Sequence, residues 1–157
     1  MATISVGDAA PLFEGVDQNN RTINLENLRG KKVILYFYPK DNTPGCTAEA
    51  CNLSDNYQFW QNKGYEVIGV SPDSVQSHQK FVTKHQLPFS LIADTEKEIL
   101  EAYGAWGLKK LYGREYMGVI RKTFVIDEEG TVSAIFEKVK TKAHSQQISD
   151  QFDLGLE

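Results

Sequence analysis

The sequence lacks the features that mark several large classes of protein. It has two cysteines among 157 residues, which is too few for a small secreted scaffold held together by disulfides. It also lacks an excess of basic residues, because 17 Lys and Arg are set against 21 Asp and Glu, for a net charge of −4. Affinity for nucleic acid comes largely from neutralised phosphates, so no nucleic-acid partner is expected.

Long apolar runs are missing as well. The N-terminus contains neither the basic start nor the apolar stretch of a secretory signal, and no segment is long enough to span a bilayer. We therefore expect a cytoplasmic protein that does not contact a membrane. An organellar protein whose targeting peptide has been removed is the alternative.

The remaining composition is typical of a globular protein. Hydrophobic residues make up 41% of the chain and charged residues 24%, and both values are ordinary. No internal repeat, low-complexity segment or linker divides the sequence, which predicts a single domain over residues 1–157. In a reducing compartment, a close pair of cysteines is more often catalytic, redox-active or metal-binding than structural.

Two runs of β-branched and aromatic residues, 32–38 and 65–71, predict buried strands. Between them we expect a helix over 43–63, with Thr43 as its N-cap and Gly64 directly after its end. A helix that connects two strands in this way makes a β-α-β unit, whose strands are parallel.

The rest of the chain predicts a continuation of the same architecture. Helices are expected over 74–85, 96–103 and 144–152, and strands over 89–93, 121–126 and 132–137. The segment 104–118 is expected to be a long loop. The order of elements predicts a thioredoxin-like α/β sandwich, with a mixed central sheet flanked by helices and preceded by an N-terminal extension. The three histidines, His78, His85 and His144, are expected on helix surfaces.

The chemistry of the sequence is concentrated at Cys46. The predicted strand ends before Pro39 and the helix begins at Thr43, so Cys46 falls in the first helical turn. Unpaired backbone N–H groups and the positive end of the helix dipole favour an anion there, and hence the nucleophilic thiolate over the thiol. Thr43 could also offer its hydroxyl to a group bound at Cys46.

The spacing of the two cysteines restricts how they can react together. In an intact helix, five residues correspond to a rise of about 7.5 Å and put the two Cα atoms about 8–9 Å apart. A disulfide needs Cα atoms within about 7 Å, so Cys46 and Cys51 cannot bond while such a helix is folded. Either the helix is absent or it unwinds locally, and the weak helix formers Gly45, Thr47, Asn52, Ser54, Asp55 and Asn56 favour unwinding.

These residues resemble a known family. Pro39, Thr43 and Cys46 match the pattern P-x-x-x-T-x-x-C of the peroxiredoxins. Cys51, five residues further on, matches the resolving cysteine of the Q type, also called bacterioferritin comigratory proteins. The likeness extends over nearly the whole chain, through segments 7–13, 69–73, 103–107, 112–118 and 121–127.

The resemblance implies a thiol peroxidase that acts on hydrogen peroxide and organic hydroperoxides without a cofactor or metal. Cys46 would attack the peroxide and become a sulfenic acid, and Cys51 would then close an intramolecular disulfide. Arg121 matches the active-site arginine of the family, and Glu49 matches the glutamate that orients it. Thioredoxin or a similar dithiol protein would restore the thiols. No C-terminal arm carries a resolving cysteine, so we expect a monomer.

Other interpretations of the same residues remain open from sequence alone. The cysteines could be two inert core thiols, and a zinc site is disfavoured because the histidines do not lie at ligand spacing from them. A thioredoxin-type disulfide reductase would be expected to carry C-x-x-C, and a peroxide sensor would use the same thiolate. Trp106 could pack in the core or form a wall of the site.

Overall fold

The computed structural model describes residues 3–156. Within them the strands are β1 (Glu14–Val16), β2 (Thr22–Asn24), β3 (Lys32–Phe37), β4 (Tyr65–Ser71), β5 (Ser90–Ala93), β6 (Trp106–Leu111), β7 (Arg114–Val119), β8 (Lys122–Ile126) and β9 (Val132–Phe136). The α-helices are α1 (Pro44–Asp55), α2 (Tyr57–Asn62), α3 (Val75–His85), α4 (Glu98–Ala102) and α5 (His144–Phe152), and a short 3-10 helix covers Glu26–Leu28.

A five-stranded mixed sheet lies at the centre of the molecule, in the order β5-β4-β3-β8-β9. Strands β3, β4 and β5 are parallel, whereas β8 and β9 are antiparallel to their neighbours. The mixed sheet with flanking helices confirms the predicted thioredoxin-like class. Because β3 lies in the middle, its residues from Val33 to Phe37 are buried on both faces.

Each face of the sheet has its own apolar core. Alternate β3 residues face opposite sides, as the two-residue period of a strand requires. Val33, Leu35 and Phe37 pack in the core that includes residues of α4, whereas Ile34 and Tyr36 pack in the core with residues of α1, α2, α3 and α5. Three residues of α1, Cys46, Ala50 and Leu53, pack in the same core as Ile34 and Tyr36.

The predicted helix over 43–63 is in fact two helices, separated at Asn56. The backbone there has φ −108° and ψ 12°, outside the helical region. The Asn56 side chain donates a 2.8 Å hydrogen bond to the Asn52 carbonyl, the group that the Asn56 backbone N–H would bond in a continuous helix. This competition accounts for the end of α1, and a new helix begins at Tyr57.

The predicted loop over 104–118 is wrong, because β6 and β7 form an antiparallel hairpin in that segment. Leu111 pairs with Arg114, and the two turn residues between them, Tyr112 and Gly113, have φ 51° and 78°. Positive φ at both positions is typical of the turn that suits a two-residue hairpin. Trp106, at the start of β6, packs partly buried against the core that contains Phe37.

The prediction that all three histidines are surface residues is also wrong. His78 and His144 are completely buried, at 0% exposure. Nδ1 of His78 lies 2.7 Å from a carboxylate oxygen of Asp41, and Nε2 lies 3.0 Å from the carbonyl of Ile92. The ring is thus held at both nitrogens, by the Asp41 carboxyl group on one side and by the Ile92 carbonyl on the other. This buried pair fixes the loop after β3 to α3.

The described residues include no helix with the length and apolar character needed to cross a membrane.

Candidate active site

Cys46 lies in the first turn of α1, as predicted. The helix begins at Pro44, whose fixed φ suits the first helical position, and Cys46 is the third residue. Its side chain is buried, with 1% of the residue exposed. The thiol sulfur therefore lies at the positive end of a helix and is shielded from bulk solvent.

Thr43 occupies the N-cap position with an extended backbone, but its side chain does not cap the helix. Its hydroxyl instead donates a 2.8 Å hydrogen bond to the Lys40 carbonyl, so the predicted capping contact is wrong. The tight turn before the helix, with Asn42 at φ 62°, brings that carbonyl within reach. The hydroxyl oxygen keeps its lone pairs. Pro39 is half-buried between the end of β3 and this turn.

Arg121 reaches the cysteine from a distant part of the chain. It directly precedes β8, and its Nη2 donates a 3.2 Å hydrogen bond to Sγ of Cys46. Its Nη1 donates a second hydrogen bond, 2.5 Å long, to Oε1 of Glu49. The structure therefore brings together Cys46, Glu49 and Arg121, and Glu49 touches the arginine as the resemblance implied.

Glu49 is a carboxyl group in an unusual environment. It lies one turn beyond Cys46 and is 0% exposed. Burial raises the pKa of Glu49 from 4.5 to about 7, against the opposing effect of Arg121. Oε2 has no hydrogen-bond partner among residues 3–156, so no hydrogen bond stabilises charge on that oxygen.

The guanidinium of Arg121 stays charged in this site. Burial lowers the pKa of Arg121, but Glu49 and Cys46 outweigh that effect and hold the pKa above its ordinary value. The Cys46 sulfur is therefore in contact with a positive charge that is fixed by two hydrogen bonds, one to the sulfur itself and one to Glu49.

His144 and Thr123 complete the buried surroundings of Glu49, and sequence reasoning assigned neither to the site. Nε2 of His144 lies 3.7 Å from Oε2 of Glu49 and 2.8 Å from the Thr123 hydroxyl, while Nδ1 lies 2.9 Å from Oε1 of Gln147. Burial lowers the pKa of His144 to about 4. The sequence does contain one indication that Thr123 belongs to the site. Thr123 follows Arg121 by two residues, so the two side chains share one side of the extended chain.

Cys51 lies on the same unbroken helix but in a different environment. It is partly buried, and both cysteines are free thiols. Burial, and then the neighbouring charge of Asp55, raise the pKa of Cys51. Its sulfur lies 3.8 Å from Nδ1 of His85 on α3, whereas the Cys46 sulfur faces Arg121. The two sulfurs thus point at different partners on different elements.

Asn52, next to Cys51, ties α1 to α5. Its Oδ1 accepts a 2.7 Å hydrogen bond from the Ser145 backbone N–H, and its Nδ2 lies 3.2 Å from the Lys142 carbonyl. The Ser145 hydroxyl also accepts a 3.1 Å bond from the indole of Trp60 in α2. The second half of α1 is therefore fastened from outside by polar contacts.

Three potential metal ligands lie near one another elsewhere, within 4.8 Å: Asp41, Asp73 and His78. Hydrogen bonds already occupy them. Asp41 accepts from Tyr38 and Ser77 as well as His78, and Asp73 accepts from the Asp41 backbone N–H and from Ser71. This arrangement is a satisfied polar network that fixes the loop, and we assign it no metal.

Comparison with known proteins gives a consistent result. The AhpC/TSA family matches residues 6–135. Peroxiredoxin Bcp of Bacillus subtilis is 47% identical over 142 residues, which cover 90% of either chain. The bacterioferritin comigratory protein of Xanthomonas campestris, solved for insight into its alkyl peroxide reduction activity, has a TM-score of 0.85 at 30% identity and 90% coverage of both chains. PrxQ of Xylella fastidiosa has a TM-score of 0.90 at 25% identity, over 98% of both chains.

Proposed function

Because this chain belongs to the AhpC/TSA family, as a thiol-dependent peroxidase of the Bcp or Q-type peroxiredoxins, we propose that Cys46 is the nucleophile that attacks the peroxide. The observation that carries the assignment is the contact of Cys46 Sγ with Arg121 at the first turn of α1. Within residues 3–156, Cys51 has His85 rather than a guanidinium as its hydrogen-bond partner, and the raised pKa of Cys51 disfavours the thiolate.

The first step forms an S–O bond and breaks the O–O bond. The Cys46 thiolate attacks one peroxide oxygen, and the other leaves as an alkoxide or hydroxide that takes a proton to become alcohol or water. Negative charge grows on the leaving oxygen, and the Arg121 guanidinium is placed to stabilise it. Glu49 holds the guanidinium in position through its 2.5 Å hydrogen bond.

Thr43 and Pro39 shape the place where the peroxide would lie. The Thr43 hydroxyl uses its hydrogen on the Lys40 carbonyl, so its oxygen can accept a hydrogen bond from a hydroperoxide O–H. Pro39 closes the end of β3 and has no N–H to compete for the substrate.

The second step joins Cys46 to Cys51. Both lie in the continuous helix α1, where their Cα atoms are about 8–9 Å apart, too far for a disulfide. We therefore propose that α1 unwinds locally after the sulfenic acid forms. The break at Asn56 confines the unwinding to α1 and leaves α2, with its buried Trp60, in place.

The substrate is a peroxide and the reductant a thiol, as the family requires. We further propose that the dithiol reductant is thioredoxin or a similar protein and that the protein works as a monomer in the cytoplasm. It would need neither nucleic acid nor membrane. The bacterial relative and the acidic net charge of −4 support this proposal.

The assignment of the two cysteines is tested by single-turnover experiments with one equivalent of peroxide. Cys46→Ser should abolish peroxide reduction. Cys51→Ser should keep the first turnover at the parent's rate but stop at the sulfenic acid, which a dimedone adduct on Cys46 would report by mass spectrometry. The two variants control for each other, since each removes one thiol of the same helix. Peroxide reduction by Cys46→Ser at the parent's rate would overturn the assignment.

A further inference from the structure

We propose that His85 is a catalytic base for the disulfide-forming step and takes the thiol proton of Cys51 as that sulfur becomes a nucleophile. The inference rests on the proposed function, since it concerns the second half of the same reaction. His85 lies on α3, and its contacts are with Cys51 and Phe81 rather than with Cys46 or Arg121.

The geometry points to His85 because its ring reaches across from α3 to the sulfur on α1. Nδ1 of His85 lies 3.8 Å from Sγ of Cys51, within the range of a hydrogen bond that involves sulfur. The ring itself is held in place by edge-on packing against Phe81, with ring centroids 5.2 Å apart. A fixed imidazole beside a thiol is the arrangement that activates cysteine nucleophiles in general.

The three histidines differ in whether they can accept a proton. Both ring nitrogens of His78 are engaged, by Asp41 and by the Ile92 carbonyl. Both ring nitrogens of His144 are also engaged, by Thr123 and Gln147. Nε2 of His85, by contrast, has no hydrogen-bond partner among residues 3–156. Nothing fixes its tautomer, so Nδ1 can present a lone pair to the Cys51 thiol.

Cys51 needs a base more than an ordinary thiol does. Burial and the carboxylate of Asp55 both raise its pKa, so the thiolate is scarce at neutral pH. The charged group that faces it from α1 is Asp55. From α3, Lys84 lies beside His85 but its ammonium donates to Asn42 in an exposed position.

Proton transfer to His85 also favours the unwinding that the reaction requires. Cys51 and Asp55 are four residues apart on one helix, and like charges at that spacing destabilise a helix. Formation of the Cys51 thiolate would therefore both create the nucleophile and loosen the turn that holds it away from Cys46.

The atoms and electrons balance without an added reagent. Cys51 gives its S–H proton to Nδ1 of His85, and the thiolate lone pair forms the S–S bond to the Cys46 sulfenic sulfur. The S–O bond breaks with its electron pair, and the departing hydroxide takes up a proton to become water. His85 returns its proton to solvent, so the net reaction is two sulfur groups condensing with loss of one water.

The first test follows disulfide closure after one equivalent of peroxide. His85→Asn should slow closure at pH 7 by about a hundredfold, the lower end of what general bases contribute, while the rate of sulfenic-acid formation stays that of the parent. Closure should recover at higher pH, where hydroxide replaces the base, and with added imidazole. The control variant Thr83→Asn puts the same side chain at an exposed position of α3 and should behave as the parent.

Two results would overturn the inference. One is closure by His85→Asn at the parent's rate across the pH range. The other is slow closure that neither high pH nor imidazole restores, which would show that His85 only supports the packing of the helix.

A second test does not depend on peroxide chemistry. In the Cys46→Ser variant, Cys51 is the only thiol, and its rate of alkylation by iodoacetamide can be followed against pH. Adding His85→Asn should lower that rate at pH 7 by about tenfold and move the alkylation profile to higher pH. Identical profiles with and without His85 would contradict the inference even if the parent is a peroxidase. A parent that forms no sulfenic acid would instead contradict the proposed function.

Discussion

Arg121 holds two groups at once, and each of its contacts depends on the other. Nη1 is bonded to a completely buried carboxyl and Nη2 to the cysteine sulfur. The planar guanidinium can make both contacts because its donors diverge in one plane, which an ammonium group cannot do. Position 121 therefore requires the shape of arginine as well as its charge.

Replacement of Arg121 should therefore slow the first chemical step. Arg121→Ala should lower the rate of sulfenic-acid formation by about a hundredfold, as for other donors to a developing negative charge. Arg121→Lys should restore only part of the rate, because one ammonium cannot hold Glu49 and Cys46 together. Stopped-flow single turnover in the Cys51→Ser background measures this step alone. Arg114→Ala, at an exposed position of β7, is the matched control. An unchanged rate in Arg121→Ala would remove the arginine from the mechanism.

At the residue scale, part of the site could be predicted and part could not. The meeting of Cys46, Glu49 and Arg121 followed from the family pattern. His85 and His144 were placed on the surface, because helical spacing does not tell which polar residue a neighbouring helix will cover. His85 is 34 positions from Cys51 in the sequence, and His144 is 95 positions from Glu49. Only tertiary packing brings these groups together.

At the scale of elements, α1 combines a reactive end with a weakly helical body. Gly45, Thr47 and Ser54 are weak helix formers, so its intrinsic stability is low. Its attachment comes from outside contacts instead, through Arg121 at the first turn and Asn52 at the second half. An element held mainly from outside can open when those contacts change.

This predicts that α1 unwinds on oxidation while α2 does not. In the reduced protein, the amides of residues 47–55, whose N–H groups have helical hydrogen-bond partners, should be protected from hydrogen exchange. In the disulfide form they should exchange fast, and those of Tyr57–Asn62 should stay protected. Mass spectrometry of the two forms measures both segments. A Cys46–Cys51 bond within an unbroken helix would contradict the prediction.

The same prediction can be tested by making α1 more helical. Asn52 and Asn56 are unsuitable sites for helix-stabilising substitutions. The Asn52 side chain binds Ser145, and the Asn56 side chain ends the helix. The double variant Thr47→Ala, Ser54→Ala should add about 1 kcal/mol of helix stability and slow disulfide closure about fivefold. The attack on peroxide should keep its rate. Thr83→Ala in α3 is the control, and closure by the double variant at the parent's rate would refute the idea.

Two elements have the predicted bounds. Strand β4 is buried along nearly its whole length, as its run rich in β-branched residues indicates, and the buried residues of helix α5 recur at helical spacing. The β6–β7 hairpin was missed because much of it faces solvent and includes exposed Leu108, Leu111 and Met117. Its turn also carries Tyr112 at positive φ, where glycine or asparagine is the usual signal.

At the scale of the whole molecule, the mixed sheet assembles the site. Phe37 at the end of β3 pairs with Lys122 at the start of β8, because the two strands are antiparallel. The loop that leads to Cys46 therefore leaves the sheet next to the point where Arg121 enters it. The sequence predicted both strands, but it could not predict that they would be neighbours, since 84 residues separate the two paired positions.

The buried pair of Glu49 and His144 gives the global stability a testable pH dependence. The folded chain holds a proton on Glu49 up to about pH 7, whereas the unfolded chain releases it near 4.5, so this group lowers stability as the pH rises through that range. The folded chain excludes a proton from His144 down to about pH 4, whereas the unfolded chain binds one below 6.5. His144 thus lowers stability as the pH falls, and the two effects oppose each other between pH 4.5 and 6.5.

Glu49→Gln should remove one of the two effects and reveal the other. The free energy of unfolding of the variant should then rise by an amount on the order of 3 kcal/mol between pH 4 and 6.5. In the parent, the opposing effects of Glu49 and His144 should leave the free energy of unfolding nearly constant over that range. Urea denaturation at a series of pH values measures it. Glu101→Gln, at an exposed position in α4, should follow the parent. A Glu49→Gln profile parallel to the parent's would contradict the assigned charge states.

The helix break at Asn56 also bears on how readily the oxidised protein is reduced. Because the disulfide is compatible only with an unwound α1, the oxidised form loses the packing of that helix and the reduced form regains it. The folding free energy of α1 is thereby added to the driving force for reduction, at about 30 mV in reduction potential for each 1.4 kcal/mol. If the helix break lay further along the chain, α2 and buried Trp60 would have to unfold on oxidation as well. The shift in reduction potential would then be larger. The position of Asn56 thus limits how strongly oxidising the disulfide is.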